Sequence, residues 1–68
     1  MQFNIETERE TDGRWIAEIP EIPGALAYGK TENQARAKAH ALALRAIADD
    51  VEKSKRVPQS ISIGCISA

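Results

Sequence analysis

Residues 32–53 contain neither glycine nor proline and are rich in alanine, leucine and charged side chains. Such residues lose little conformational freedom in a helix, so the segment is expected to form one long helix. Thr31 precedes it as an N-cap, and Gln34 three residues on completes a capping box. In a chain of 68 residues, a helix that long decides the architecture. Everything else must be short and must offer the helix an apolar surface to lie on.

The flanking segments have the pattern for that. Met1, Phe3 and Ile5 alternate with Gln2 and Asn4, the period of a strand with one buried face. Thr11-Asp12-Gly13-Arg14 holds the Asp-Gly pair that favours a tight hairpin turn. A second strand is expected over 14–19, with Trp15, Ala17 and Ile19 on one face and Ile16 and Glu18 on the other. Pro20, Pro23 and Gly24 interrupt regular structure, since proline lacks an amide donor and glycine permits a sharp reversal. A short third strand is expected over 25–29. Beyond the helix, Pro58 closes the connection, and 60–66 alternate again with Ile61, Ile63 and Cys65 on one face. The order is β-β-β-α-β, an α+β fold with a four-stranded sheet and the helix on one face, in a single domain over 1–68.

A domain this small buries only about 60% of the surface its unfolded chain exposes. Cys65 is the only cysteine and His40 the only histidine, so neither a disulfide within the chain nor a Cys/His metal site is available to reinforce it. Association remains, and a homo-oligomer (dimer or tetramer) is expected. Nine basic and ten acidic residues give a net charge of -1, which argues against a dedicated nucleic-acid binder. The N-terminus lacks the basic and apolar regions of a signal peptide, and no apolar run approaches the length of a membrane span. A cytoplasmic protein is expected.

Residues 24–31, GALAYGKT, match the phosphate-loop pattern G-x-x-x-x-G-K-[ST]. Such a loop leaves a buried strand, wraps a phosphate with its amides and opens a helix. Only the second half fits. Gly24 follows a proline-rich turn, the residues between read as strand, and Asp49 and Asp50 lie inside the helix, away from any strand end suited to magnesium. The residues have simpler roles: Gly24 turns the chain, Gly29 ends a strand, Thr31 caps the helix and Lys30 is a solvated charge.

Catalytic constellations are equally thin. Glu6, Glu8 and Glu10 share one face at a spacing of two, with Asp12 beyond them, as carboxylates around a metal pair could. A solvent-facing polar strand explains them better. His40 has no carboxylate or cysteine at ligand spacing, and Cys65 reads as a small hydrophobe on an alternating strand. No enzyme activity, cofactor or metal is expected.

Taken together, RWIAEIPEIPGALAYGKTENQARAKA resembles the HicB family of small antitoxins. The residues that carry the resemblance are Trp15 after a glycine-containing turn, Pro20 to Gly24 as P-x-[LI]-P-G, Gly29 to Thr31 as G-x-T, and Gln34-Ala35 at the start of an alanine-rich helix. The resemblance covers nearly the whole chain. It implies a partial, degenerate ribonuclease H-like fold in which three antiparallel strands form a meander and the helix returns the last strand parallel to the first. It also implies a partner, a HicA-type toxin that cleaves messenger RNA and whose active-site histidine the antitoxin covers. Many HicB proteins carry a C-terminal DNA-binding domain, for which this sequence has no room before Ala68, so no direct DNA binding is expected. The family often has an acidic residue where this chain has Lys30.

The helix carries two apolar stripes. Ala35, Ala39, Leu42 and Ala46 form one, assigned to the sheet by the Gln34-Ala35 resemblance. Ala37, Ala41, Leu44, Ala48 and Val51 form the other, and Ile47 falls between them. Leu44, Ala48 and Val51 are therefore candidates for packing on a partner or a second copy. The third strand offers another surface, with Ala25 and Tyr28 at a sheet edge and Ile22 beside it. Two functions from different classes follow: an antitoxin that occludes a toxin's RNA site, and a self-assembling HicB-like scaffold with no toxin to neutralise.

Overall fold

The computed structural model describes residues 2–57 and 60–65. Five elements follow one another: β1 (Gln2–Arg9), β2 (Trp15–Glu18), β3 (Leu26–Gly29), α1 (Glu32–Ser54) and β4 (Ser62–Cys65). The strands lie in the order β3-β2-β1-β4. β1 with β2 and β2 with β3 are antiparallel, while β4 runs parallel to β1. This is the expected β-β-β-α-β arrangement, with the helix supplying the crossover that a parallel pair requires. Met1, Pro58 and Ile66, each used in the sequence reading, lie outside the described residues.

β1 is longer than its apolar alternation. It continues to Arg9 because Glu6 to Arg9 pair with Glu18 to Trp15 across the hairpin. The turn is closed by Glu10, whose amide donates to the Arg14 carbonyl at 2.7 Å and whose carbonyl accepts from Gly13 at 3.0 Å. Asp12 fastens it, accepting from the Arg14 amide at 3.0 Å and from Arg14 Nε at 2.8 Å. The bond from the Arg14 amide, helped by the guanidinium, holds the Asp12 carboxyl below its ordinary range.

The β2–β3 connection folds back on itself. Ile19 donates to Ala25 at 2.9 Å, Ile22 to Ile19 at 2.9 Å and Ala25 to Ile22 at 3.1 Å. Gly24 makes the reversal at φ 86°, where a β-carbon would be strained. The compact turn carries Ile22 and Ala25 inward, leaving them 9% and 2% exposed.

Thr31 caps α1 from an extended conformation, its Oγ1 accepting from the Gln34 amide at 3.1 Å. The reciprocal bond differs from a standard capping box: Gln34 Oε1 accepts from the Lys30 amide, one residue before the cap, at 3.0 Å. Thr7, facing inward on β1, donates its hydroxyl to Glu32 Oε2 at 2.8 Å. That carboxylate also sits where the helix dipole favours negative charge. At the other end Lys55, at φ 57°, donates to the Val51 carbonyl at 2.9 Å.

The helix buries Ala35, Ala39, Ala43 and Ile47, which differs from the expected stripe in its second half. Leu42 and Ala46 are only partly buried against the core, and Ile47, expected between the stripes, belongs to it. A row spaced by four drifts about 40° round the axis at each step, so the buried line winds instead of staying on one side. Its small members let the helix approach closely. A β-carbon at Gly29 would lie 2.6 Å from the Ala35 nitrogen and 2.8 Å from Gln34 Cβ. Ile5, Ala17 and Ile19 complete the core from the sheet side, with Phe3, Trp15, Ala27 and Ile63 packed at its margin. The molecule is 15 Å deep along its shortest axis, room for one sheet and one helix layer about 10 Å apart.

Candidate functional site

Two layers leave two outer faces, and the register fixes what each displays. With Phe3, Ile5, Ala17 and Ala27 turned to the helix, the alternate positions point away from it. Across β1, β2 and β3 these form two rows. Glu6 stands opposite Glu18, which stands opposite Leu26; Glu8 stands opposite Ile16, which stands opposite Tyr28. Leu26 and Tyr28 are 40% and 41% exposed. The Arg14 guanidinium lies 4.7 Å from the centre of the Tyr28 ring, a cation–π contact. The same guanidinium holds Asp12. A shallow depression of about 160 Å³ opens among Glu6, Glu8, Ile16 and Glu18.

The outer side of α1 is the second face. Leu44 is 48% exposed there and Ala37 and Ala48 are exposed, while Val51 is half-buried and packs against the core. Near the end of the helix a groove of about 480 Å³ separates α1 from the β2–β3 turn. Phe3, Ile22, Pro23, Ala46 and Ile47 supply its apolar lining, and Glu21, Asp49, Asp50 and Lys53 its charges. Lys53 is paired with Asp49 at 3.1 Å. Glu21 accepts from the Asn4 amide at 3.4 Å, beyond the usual range for a strong bond.

The six residues expected to meet a partner do not form one surface. Ile22 and Ala25 are core residues, which corrects their placement as anchors; the turn that buries them is held by backbone bonds that no side-chain pattern announces. Tyr28 lies on the open face of the sheet. Leu44 and Ala48 lie on the helix exterior, and Val51 is divided between exterior and core. Ile16 and Leu26 complete the apolar part of the open face, and the sequence does carry a signal for Ile16: an isoleucine on the polar side of an alternating strand.

Pro20 and Pro23 flank the turn, Gly24 reverses it, Gly29 ends β3, and Thr31 caps the helix. Residues 26–29 of the phosphate-loop pattern are strand, and the Lys30 and Gln34 amides donate to the cap. The backbone donors that would meet a phosphate there are thus partly engaged. Among the described residues no three His, Cys, Asp or Glu side chains converge as metal ligands. No described helix is long and apolar enough to cross a membrane.

The two sides of α1 make a direct contrast. Leu42→Asp is expected to cost about 2–3 kcal/mol through lost apolar burial and a desolvated charge. Leu44→Asp should cost less than about 1 kcal/mol. Urea unfolding of both variants checks the difference, and equal losses would show that Leu44 packs in the core.

No protein-family model matches the chain, and no curated protein does. Among solved structures it is similar to the crystal structure of the N-terminal domain of the Burkholderia pseudomallei antitoxin HicB. The two share 20% sequence identity, with a TM-score of 0.71 over 88% of this chain and 71% of that one. At that identity the likeness is one of fold: the chain has the four-stranded, one-helix architecture of a HicB N-terminal domain.

Proposed function

We propose that this chain is a HicB-like antitoxin that binds a HicA-type messenger-RNA-cleaving toxin and occludes its RNA site. The observation that carries this reading is the fold it shares with an antitoxin domain, together with the residues of the P-x-[LI]-P-G…G-x-T pattern, which build the β2–β3 turn and the helix cap. The mechanism is steric. The folded surface covers the toxin's catalytic groups, and the antitoxin itself performs no chemistry, uses no cofactor and works in the cytoplasm.

The exposed apolar residues on both outer faces supply surface for such a contact, Tyr28 on the sheet and Leu44 and Ala48 on the helix. A second reading, a self-assembling scaffold of dimers or tetramers, is favoured by the position of β3 at a sheet edge, where backbone groups can accept a further strand. Affinity capture of tagged protein from its native lysate, read by intact mass, tests both. A small basic protein at fixed ratio, whose RNA cleavage is suppressed by adding the chain back, supports the antitoxin. Recovery of this chain alone, repeatedly and in mild salt, supports the scaffold and removes the toxin.

A further inference from the structure

We propose that the uncovered face of the sheet docks a cationic segment of a partner protein, with lysine or arginine side chains over Glu6, Glu8 and Glu18 and an apolar or aromatic side chain over Ile16, Leu26 and Tyr28. The inference rests on the reading of this chain as a binding module and is independent of the toxin's identity. Its basis is the array Glu6–Glu18–Leu26 beside Glu8–Ile16–Tyr28, one side acidic and the other apolar.

Glu6 and Glu18 stand directly opposite one another on neighbouring strands, an arrangement that destabilises a sheet. Among the described residues none of Glu6, Glu8 and Glu18 has an ion-pair partner. Arg14, the cation on this face, is held by Asp12 and by the Tyr28 ring. The free chain therefore carries an unrelieved repulsion beside exposed Leu26 and Tyr28. A cationic partner relieves the first while covering the second.

The charge pattern also separates the occupants. Two copies placed face to face would bring carboxylates against carboxylates, with only the committed Arg14 from each copy to offset them. Nucleic acid is opposed by sign, since its phosphates would meet the same carboxylates. A basic protein segment is complementary on both halves, and complementary potentials of this kind set specificity and association rate.

The test titrates isotope-labelled chain with an amidated seven-residue peptide whose basic and apolar residues are in separate halves, Lys-Lys-Lys-Gly-Leu-Trp-Leu, and follows backbone amide shifts. Shifts are expected at Ile16, Glu18, Leu26 and Tyr28, with affinity falling as salt rises. The double variant E6Q/E18Q should bind about fivefold more weakly, the loss expected for two exposed ion pairs. Removing two like charges leaves that variant at least as stable as the parent, so weakened binding cannot be ascribed to unfolding.

Shifts confined to Leu44 and Ala48 or to the groove beside Asp50, undiminished affinity in E6Q/E18Q, equal binding of the peptide with glutamate in place of lysine, or no binding at all would each overturn the proposal. Binding on this face together with failure to capture any toxin would uphold it and remove the antitoxin reading. A captured toxin that binds parent and E6Q/E18Q equally would do the reverse.

Discussion

Gly29→Ala is expected to lower stability by about 3 kcal/mol, the upper part of the range for forced overpacking. The added carbon would meet the Ala35 nitrogen at 2.6 Å, and that nitrogen is fixed by its own bond to the Thr31 carbonyl at 3.1 Å. The helix start cannot retreat without loosening the first bond of α1 and the cap beside it. Gly24→Ala provides the comparison. Its β-carbon would meet nothing within 4 Å, so only the positive φ resists substitution, at a cost of about 1–2 kcal/mol. In urea the midpoint of Gly29→Ala should fall further than that of Gly24→Ala, with unchanged slope. The opposite order would mean that β3 and the helix are not in close contact.

Ile19→Ala should cost about 3 kcal/mol, within the range for truncating a buried isoleucine. Among the described residues Ile19 is the largest side chain that is fully buried, and its backbone anchors both ends of the turn through Ala25 and Ile22. The variant leaves those backbone bonds possible but removes the side chain that the turn closes over. Ile19→Val, losing a single methylene, should cost about 1 kcal/mol. Equal costs for the two variants in urea unfolding would indicate that the turn collapses onto the vacated space.

The helix and strands were legible because their patterns are local. Thr31, Gln34 and the run of good helix formers mark α1 without reference to any other part of the chain, and period-two alternation marks the strands. The end of β1 was less visible. Thr7 is an inward-facing position filled by a polar residue, whose hydroxyl is satisfied by Glu32, a partner 25 residues away. The phase of the helix was blurred by alanine, which occurs on every side and does not distinguish a buried row from an exposed one; only Ile47 among the four buried positions is bulky. The candidate surface was the least legible. Whether Ile22 is a surface anchor or a core residue depends on the closure of the turn, and whether Tyr28 and Leu44 share a face depends on which side of the sheet the helix covers.

β1 is shared between two partners along its length. Gln2 to Ile5 pair with Ser62 to Cys65 of β4, and Glu6 to Arg9 pair with β2. The meander of β1, β2 and β3 is built from pairings between neighbouring elements, whereas β4 pairs with residues about sixty positions earlier in the chain. Closing so long a loop is entropically costly before its contacts form. In kinetic terms β4 is expected to be laid down late, on the half of β1 that the hairpin leaves vacant.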